Sequence, residues 1–431
     1  MERAAFEQLS AWKNSADRKP LILNGARQVG KTWLLKDFGA KAYKSVAYIN
    51  CDDTPSLRQS FADFDTERLI RVFSALSGVA IQPQETLIIL DEIQEVPVAL
   101  TSLKYFCENA NQYHIAVAGS LLGIGLHEGT GFPVGKVDEI NLYPLTFEEF
   151  CNALGKTVLT AQIKEHRWEE LSALSHTCIE LLRQYYYVGG MPAVVKNYYE
   201  HKNLTTVREM QQQILADYRR DFAKHVPADL LPKVYMVWDA IPAQLAKENK
   251  KFIYSAIKKG ARAKEFENAV QWLLDAGLIY KVVRVTKIEK PLKFYEDFDA
   301  FKLFVLDLGL LGAMVDVSPK DVLVNNAAFT EYKGAFTEQY VLQEIIPLHK
   351  KVYYYSKENS PLEIDFILQK ERVYPIEVKA EENLRSKSLR TVYEANNALV
   401  PCRFSMAGYR VQDWLTNIPL YLAHEWLASR E

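Results

Sequence analysis

Short apolar runs alternate, through the first 150 residues, with stretches whose apolar positions recur every three or four residues. Runs at 20–24, 45–50, 86–90 and 114–118 read as strands, and 137–142 closes the series. Leu87, Ile88, Ile89 and Leu90 are unbroken by polar residues, as in a strand buried on both faces of a parallel sheet. Such alternation predicts βα units and an α/β fold. From 151 to 225 the period is helical throughout, and Leu171, Leu174, Cys178, Leu181, Leu182 and Tyr185 form one apolar stripe that reads as core.

Punctuation refines this outline. Thr146 followed by Glu149 reads as a capping box that opens a helix. Gly189, Gly190 and Pro192 mark a turn between helices, and a further helix is predicted over 204–225. Between 226 and 315, helices give way to runs at 273–280 and 281–285 and a short strand at 302–306, the order of a winged helix. Strand runs return at 351–355, 362–368 and 374–380 after a helix around Glu338. The expected domains are therefore 1–150, an α/β core; 151–225, a helical lid or linker; 226–320, winged-helix-like; and 321–431, a second α/β domain.

Composition narrows the function classes. At 431 residues the chain exceeds one ordinary core. Its net charge of −2 excludes a protein that is basic all over, so any DNA or RNA contact must come from local patches. One candidate patch spans 247–264, with Lys247, Lys250, Lys251, Lys258, Lys259, Arg262 and Lys264 around Phe252 and Tyr254; a solvated helix face reads equally well. No run approaches the roughly 18 apolar residues of a membrane span, and Met1 to Ser10 lacks the apolar segment of a secretory signal. Cys51, Cys107, Cys151, Cys178 and Cys402 are scattered without metal or disulfide spacing. A cytoplasmic location and no membrane partner are expected.

The chemistry begins at Gly25, Ala26, Arg27, Gln28, Val29, Gly30, Lys31 and Thr32, which fit G-x-x-x-x-G-K-[ST] between a strand and a helix. Glycines let the backbone curl so that successive N–H groups face phosphate oxygens, and the helix that follows offers its positive end to the same anion. Lys31 would reach the β- and γ-phosphates, and the Thr32 hydroxyl would bind Mg2+. Asp91 and Glu92 end the 86–90 run, at the carboxyl edge where open α/β sheets bind ligands. Asp91 would hold Mg2+, and Glu92 would orient or deprotonate the attacking water, which favours hydrolysis of ATP to ADP over binding alone. Ser120, after the 114–118 run, reads either as a γ-phosphate sensor or as a helix N-cap.

A second candidate site lies near the carboxyl end. Asp365 falls on one strand run, and Glu377 and Lys379 on the next, where alternation puts the latter two on one face. Two carboxylates beside a lysine can bind Mg2+ and prepare water for phosphodiester attack, with Glu338 as a third oxygen ligand. The D-x(11)-E-x-K spacing marks a restriction-endonuclease-like fold; the alternative is an edge hairpin with outward polar residues.

The phosphate loop, Leu90 to Gln94, Ala118 to Leu122, Tyr143 to Phe150, Gly189 to Pro192, Glu363 to Phe366 and Glu377 to Lys379 occur in one order. Together they resemble the prokaryotic AAA-type ATPases whose C-terminal part is catalogued as a domain of unknown function. The resemblance spans essentially the whole chain. It implies an AAA-like P-loop ATPase core, a helical and winged-helix middle and a C-terminal α/β restriction-endonuclease-like domain. It also implies rings or dimers, because such sites lie between subunits. Relatives commonly carry Gly-Arg before the Tyr-Pro-Leu segment, where this chain has Gly135 and Lys136. An arginine finger is thus unassigned, with Arg219 and Arg220 as substitutes. Two functions follow as expectations: an ATPase whose nucleotide state controls a nuclease-like domain on DNA or RNA, or an ATP-gated binding module with a silent nuclease fold. A kinase or transferase lacks any acceptor pocket in the sequence.

Overall fold

The computed structural model describes residues 1–54, 57–119, 131–247, 250–324, 330–348, 351–358, 360–381 and 385–430, with backbone alone at 324, 330 and 331. The chain divides into two compact units: Glu2–Tyr143 with Asp275–Leu278, and Pro144–Leu274 with Ile279–Glu431.

In the first unit, β1 (Leu21–Asn24), β2 (Ser45–Asn50), β3 (Thr86–Asp91), β4 (His114–Ala118) and β5 (Asp138–Asn141) form one parallel sheet. Their order is β2-β3-β4-β1-β5. Every residue of β3 and β4 is buried, which explains their unbroken apolar runs. The chain runs from β1 to the far edge at β2 and then returns, so the sheet has a switch point with a crevice at its carboxyl edge. Helices Thr66–Ser77 and Val98–Asn109 supply Phe73 and Phe106, whose rings stack 6.2 Å apart in the core over β2 to β4.

The second unit carries a mixed eight-stranded sheet. Its strands are β6 (Ile279–Val285), β7 (Glu296–Val305), β8 (Val352–Ser356), β9 (Glu363–Gln369), β10 (Val373–Val378), β11 (Cys402–Ser405), β12 (Arg410–Val411) and β13 (Thr416–Pro419). The order is β12-β13-β11-β10-β9-β8-β6-β7. The β6–β7 hairpin, expected to be the wing of a separate 226–320 domain, instead pairs with β8 through Val283 and Tyr353. One backbone ladder therefore crosses the expected boundary at 320. The hydrophobic pattern could not foretell this, because the free edge of a hairpin does not specify its long-range partner.

The helical part follows the sequence closely. Helix Leu204–His225 has Asn203 as its N-cap, and the Thr146–Glu149 capping box opens helix Phe147–Ala153. Gly189 and Gly190 separate helices Ser175–Val188 and Pro192–His201 for a steric reason. A Cβ on Gly190 would lie 2.3 Å from the Leu145 carbonyl oxygen. The Gly190 N–H donates to buried Asp307 Oδ2 at 2.6 Å, and Asp307 Oδ1 accepts the Leu310 N–H as an N-cap. Burial raises the Asp307 pKa against these hydrogen bonds.

Candidate functional site

The phosphate loop grows from β1 and ends at Gly30, the N-cap of helix Lys31–Ala42. Gly25 has φ +149° and Gly30 φ +96°, and Gln28 is also left-handed at φ 68°. A Cβ on Gly25 would sit 2.4 Å from the Leu142 carbonyl oxygen, so the loop can pass the end of β5 only as glycine. Arg3 anchors the curl from outside: its guanidinium donates to Val29 O at 3.1 Å and to Tyr143 O at 2.6 Å. No motif in the sequence announces Arg3.

Lys31 is buried, and its ammonium donates to Gly25 O at 2.7 Å and Ala26 O at 2.8 Å. Burial pulls its pKa down to about 8, although Glu92 and Asp91 favour the charged form. An ammonium held by two loop carbonyls can exchange them for phosphate oxygens. Thr32 Oγ1 donates to Asp91 Oδ2 at 2.7 Å, and Tyr48 Oη reaches the same oxygen at 3.0 Å.

Glu92 adopts the left-handed conformation, φ 50° and ψ 43°, at the tip of β3. Strain of this kind in a non-glycine residue concentrates at functional sites. Gln94 Nε2 donates to Glu92 Oε2 at 2.6 Å and fixes the carboxylate. Sequence reasoning missed Gln94, although its spacing from Glu92 was visible. The structure thus brings Lys31, Thr32, Asp91 and Glu92 together. Ser120 lies outside the described residues.

Mg2+ is usually held by one or two protein oxygens plus substrate phosphates and water. Thr32 and Asp91, already in contact, suit that donor set. The three candidate fingers are engaged in ion pairs: Lys136 with Glu108 at 3.0 Å, Arg220 with Asp217 at 2.5 Å, and Arg219 with Asp239.

The carboxyl-terminal candidates also converge. Helix Thr330–Ile345 carries Glu338, β9 carries Asp365, and β10 carries Glu377, one step beyond the Phe366–Ile376 pair. Val378 N–H donates to Asp365 Oδ2 at 2.8 Å, and Lys379 Nζ lies 2.8 Å from Glu377 Oε1. Two unforeseen cations enter: Lys302, fully buried on β7, and Lys250, which is paired with Glu338. The pKa of Lys302 is pushed up, because Glu338 and Glu363 outweigh burial. For Glu338 burial is outweighed by Lys250 and Lys302, which lower its pKa; burial and the neighbouring Glu338 raise that of Asp365.

In this geometry the carboxylates expected to hold Mg2+, Glu338, Asp365 and Glu377, have lysine ammonium groups among them. Among the described residues no three acidic, histidine or cysteine side chains form a metal-holding group. Glu338 Oε1 faces Lys250 and Glu377 Oε1 faces Lys379, while Glu338 Oε2 and Glu377 Oε2 accept no hydrogen bond. The basic patch at 247–264 changes as well: Lys250 turns inward, and Phe252 is buried against the Phe301 ring at 5.8 Å.

Among the described residues no helix is long and apolar enough to cross a membrane. No curated protein matches the chain. The chain is similar to solved structures at low identity. A Walker-type ATPase of Pyrococcus abyssi is 14% identical, with 72% of this chain and 94% of that chain covered and a TM-score of 0.43. DnaA from Aquifex aeolicus bound to AMPPCP is 14% identical, covering 63% and 86%, with a TM-score of 0.29. The ORC1 protein of Aeropyrum pernix in complex with DNA is 14% identical, covering 72% and 90%, with a TM-score of 0.26. Residues 179–321 and 333–423 match two models described as domains of unknown function, DUF8612 and DUF4143. Residues 17–151 match the family model described as an AAA domain, and the N-terminal part of the chain is an AAA-type P-loop domain.

Proposed function

We propose that the chain binds ATP and ADP with Mg2+ at Gly25–Thr32 and hydrolyses ATP, and that nucleotide occupancy controls a C-terminal nuclease-like domain that engages DNA or RNA. The contact of Thr32 with Asp91 carries the reading, because it joins the two side chains that would flank Mg2+ before any ligand arrives. Gly25, Ala26, Arg27, Gln28, Val29 and Gly30 present backbone to the phosphates, and Lys31 exchanges loop carbonyls for phosphate oxygens. Bound Mg2+ would neutralise charge on the β- and γ-phosphates. Glu92, held by Gln94, accepts the proton of the attacking water. A cation from a second copy of the chain would complete the site, which makes a homo-oligomer the working form. Purified protein with Mg2+ should release phosphate from ATP, and Lys31→Ala should abolish release; equal turnover by the two proteins would refute the proposal.

A second reading, the ATP-gated binding module with a silent nuclease fold, is favoured by one observation. Lys250 and Lys302 both face Glu338 in the C-terminal cluster. Comparing native protein with Asp365→Ala on labelled DNA and RNA, with Mg2+ or Mn2+, separates the readings. Asp365-dependent cleavage supports the nuclease; binding without cleavage supports the module.

A further inference from the structure

We infer that Lys250 and Lys302 are the resident cations of the Glu338–Asp365–Glu377 cluster, so that the C-terminal domain excludes divalent metal from it. The inference rests on the nuclease-like reading of this domain, and it names what occupies the site.

Each oxygen of Glu338 has an ammonium nearby, although Oε2 accepts no hydrogen bond. Oε1 meets the Lys250 ammonium and Oε2 lies 3.7 Å from Lys302 Nζ. Lys302 Nζ also approaches Glu363 Oε1 at 2.6 Å and stands 4.8 Å from the centre of the Tyr354 ring. Asp365 gives one oxygen to the Val378 N–H, and Glu377 gives one to Lys379. A divalent ion needs several carboxylate or water oxygens around one point. Here the Lys250 and Lys302 ammonium groups stand against Glu338 and Glu363.

Charge leads to the same conclusion. Four carboxylates, on Glu338, Glu363, Asp365 and Glu377, stand against four cations, on Lys250, Lys302, Lys379 and Arg403. Arg403 belongs because it is in register with Glu377 on the neighbouring strand and its charge interacts with that carboxylate. At formal charges the set balances, and Glu338 and Asp365 also share a side-chain hydrogen bond. An added divalent ion would leave an uncompensated charge in a buried place, and such a charge is strongly unfavourable.

The two lysines are not equivalent. Lys302 lies within β7 with no exposed surface, so it cannot withdraw without breaking the sheet. Lys250 lies outside any helix or strand, and its side chain is 14% exposed. Removing the Lys250 ammonium is therefore the change that would open a cation site.

The test is Mn2+ binding to the full chain without nucleotide, followed by paramagnetic resonance of the free ion, with thermal unfolding alongside. Native protein and Asp365→Asn should bind equal amounts of Mn2+, because any binding at the phosphate loop is common to both. Lys250→Met should gain one Mn2+ per chain and a Mn2+-dependent rise in unfolding temperature. Both gains should vanish in Lys250→Met combined with Asp365→Asn. A native protein that loses Mn2+ on Asp365→Asn overturns the inference, and so does a folded Lys250→Met that gains none. If Lys250→Met does not fold, the comparison of native protein with Asp365→Asn still decides. ATP turnover enters none of these readouts, so failure of the ATPase proposal and failure of this one are separately visible.

Discussion

Thr32 Oγ1 lies 2.7 Å from Asp91 Oδ2, although β4 lies between β3, which ends in Asp91, and β1, which leads through the loop to the helix that carries Thr32. The contact spans the crevice at the carboxyl edge of the sheet. A hydrogen bond to a charged group contributes roughly 1.5–3 kcal/mol. Thr32→Val and Asp91→Asn should each weaken Mg-nucleotide binding by about 10- to 100-fold, a ratio that follows from that energy. The double variant should lose much less than the two single losses combined. Calorimetric titration with ATP and Mg2+ measures this, and additive losses would show that the pair does not act as a unit.

Glu92 should separate binding from chemistry. Its carboxylate is steered by Gln94 and carried on a left-handed backbone. Glu92→Gln should lower kcat by about 100- to 10,000-fold, the usual contribution of a general base, while nucleotide affinity holds. Gln94→Ala should show a smaller fall of the same kind. A Glu92→Gln variant that loses affinity but keeps kcat would assign Glu92 to binding.

Lys31 makes nucleotide binding depend on pH. In the free protein burial holds its pKa at about 8, against an ordinary 10.5. Above about 8 the amine is neutral in the free site, and an arriving phosphate recharges it, so binding there takes up a proton. Calorimetry at pH 8.5 in buffers of different ionisation enthalpy should reveal this uptake, and at pH 6.5 it should disappear. Stability follows the opposite course: the unfolded chain holds this proton up to about 10.5, so stability from this group rises with pH between about 8 and 10.5. Buffer-independent heats at pH 8.5 would show that Lys31 stays charged.

Much of this was legible in the sequence wherever the signal is local. A buried parallel strand needs an unbroken apolar run, and β3 supplies one; a capping box needs two residues three apart, and Thr146 and Glu149 supply them. The phosphate loop is local for the same reason. What escaped was long-range. Arg3 reaches the loop carbonyl of Val29, 26 residues away, and Lys250 turns toward a glutamate 88 residues on. A lysine in a basic run reads as solvated until the fold supplies an acid. The β6–β8 pairing is of the same kind, because alternation specifies which face of a strand is buried but not which neighbour it finds.

Glu344 offers a last test, far from any ligand in the sequence argument. It is fully buried on helix Thr330–Ile345, and its Oε1 accepts the Phe147 N–H at 2.8 Å, closing the first turn of helix Phe147–Ala153. Burial raises its pKa to about 8, with Glu149 and Glu148 adding to the rise and the Phe147 hydrogen bond opposing it. At neutral pH the folded protein therefore keeps this acid protonated while the unfolded chain has released the proton. The stabilisation is complete below the ordinary value of 4.5 and is lost as pH rises through about 8. Glu344→Gln keeps an acceptor for Phe147 and cannot ionise. The variant should gain on the native protein as pH climbs from 5 to 9, at up to about 1.4 kcal/mol per unit of the shift. Thermal unfolding across that range reads the difference directly. A native protein that matches the variant at pH 9 would mean that Glu344 ionises without cost, with the His424 imidazole, 3.7 Å from its Oε2, as the partner to test next.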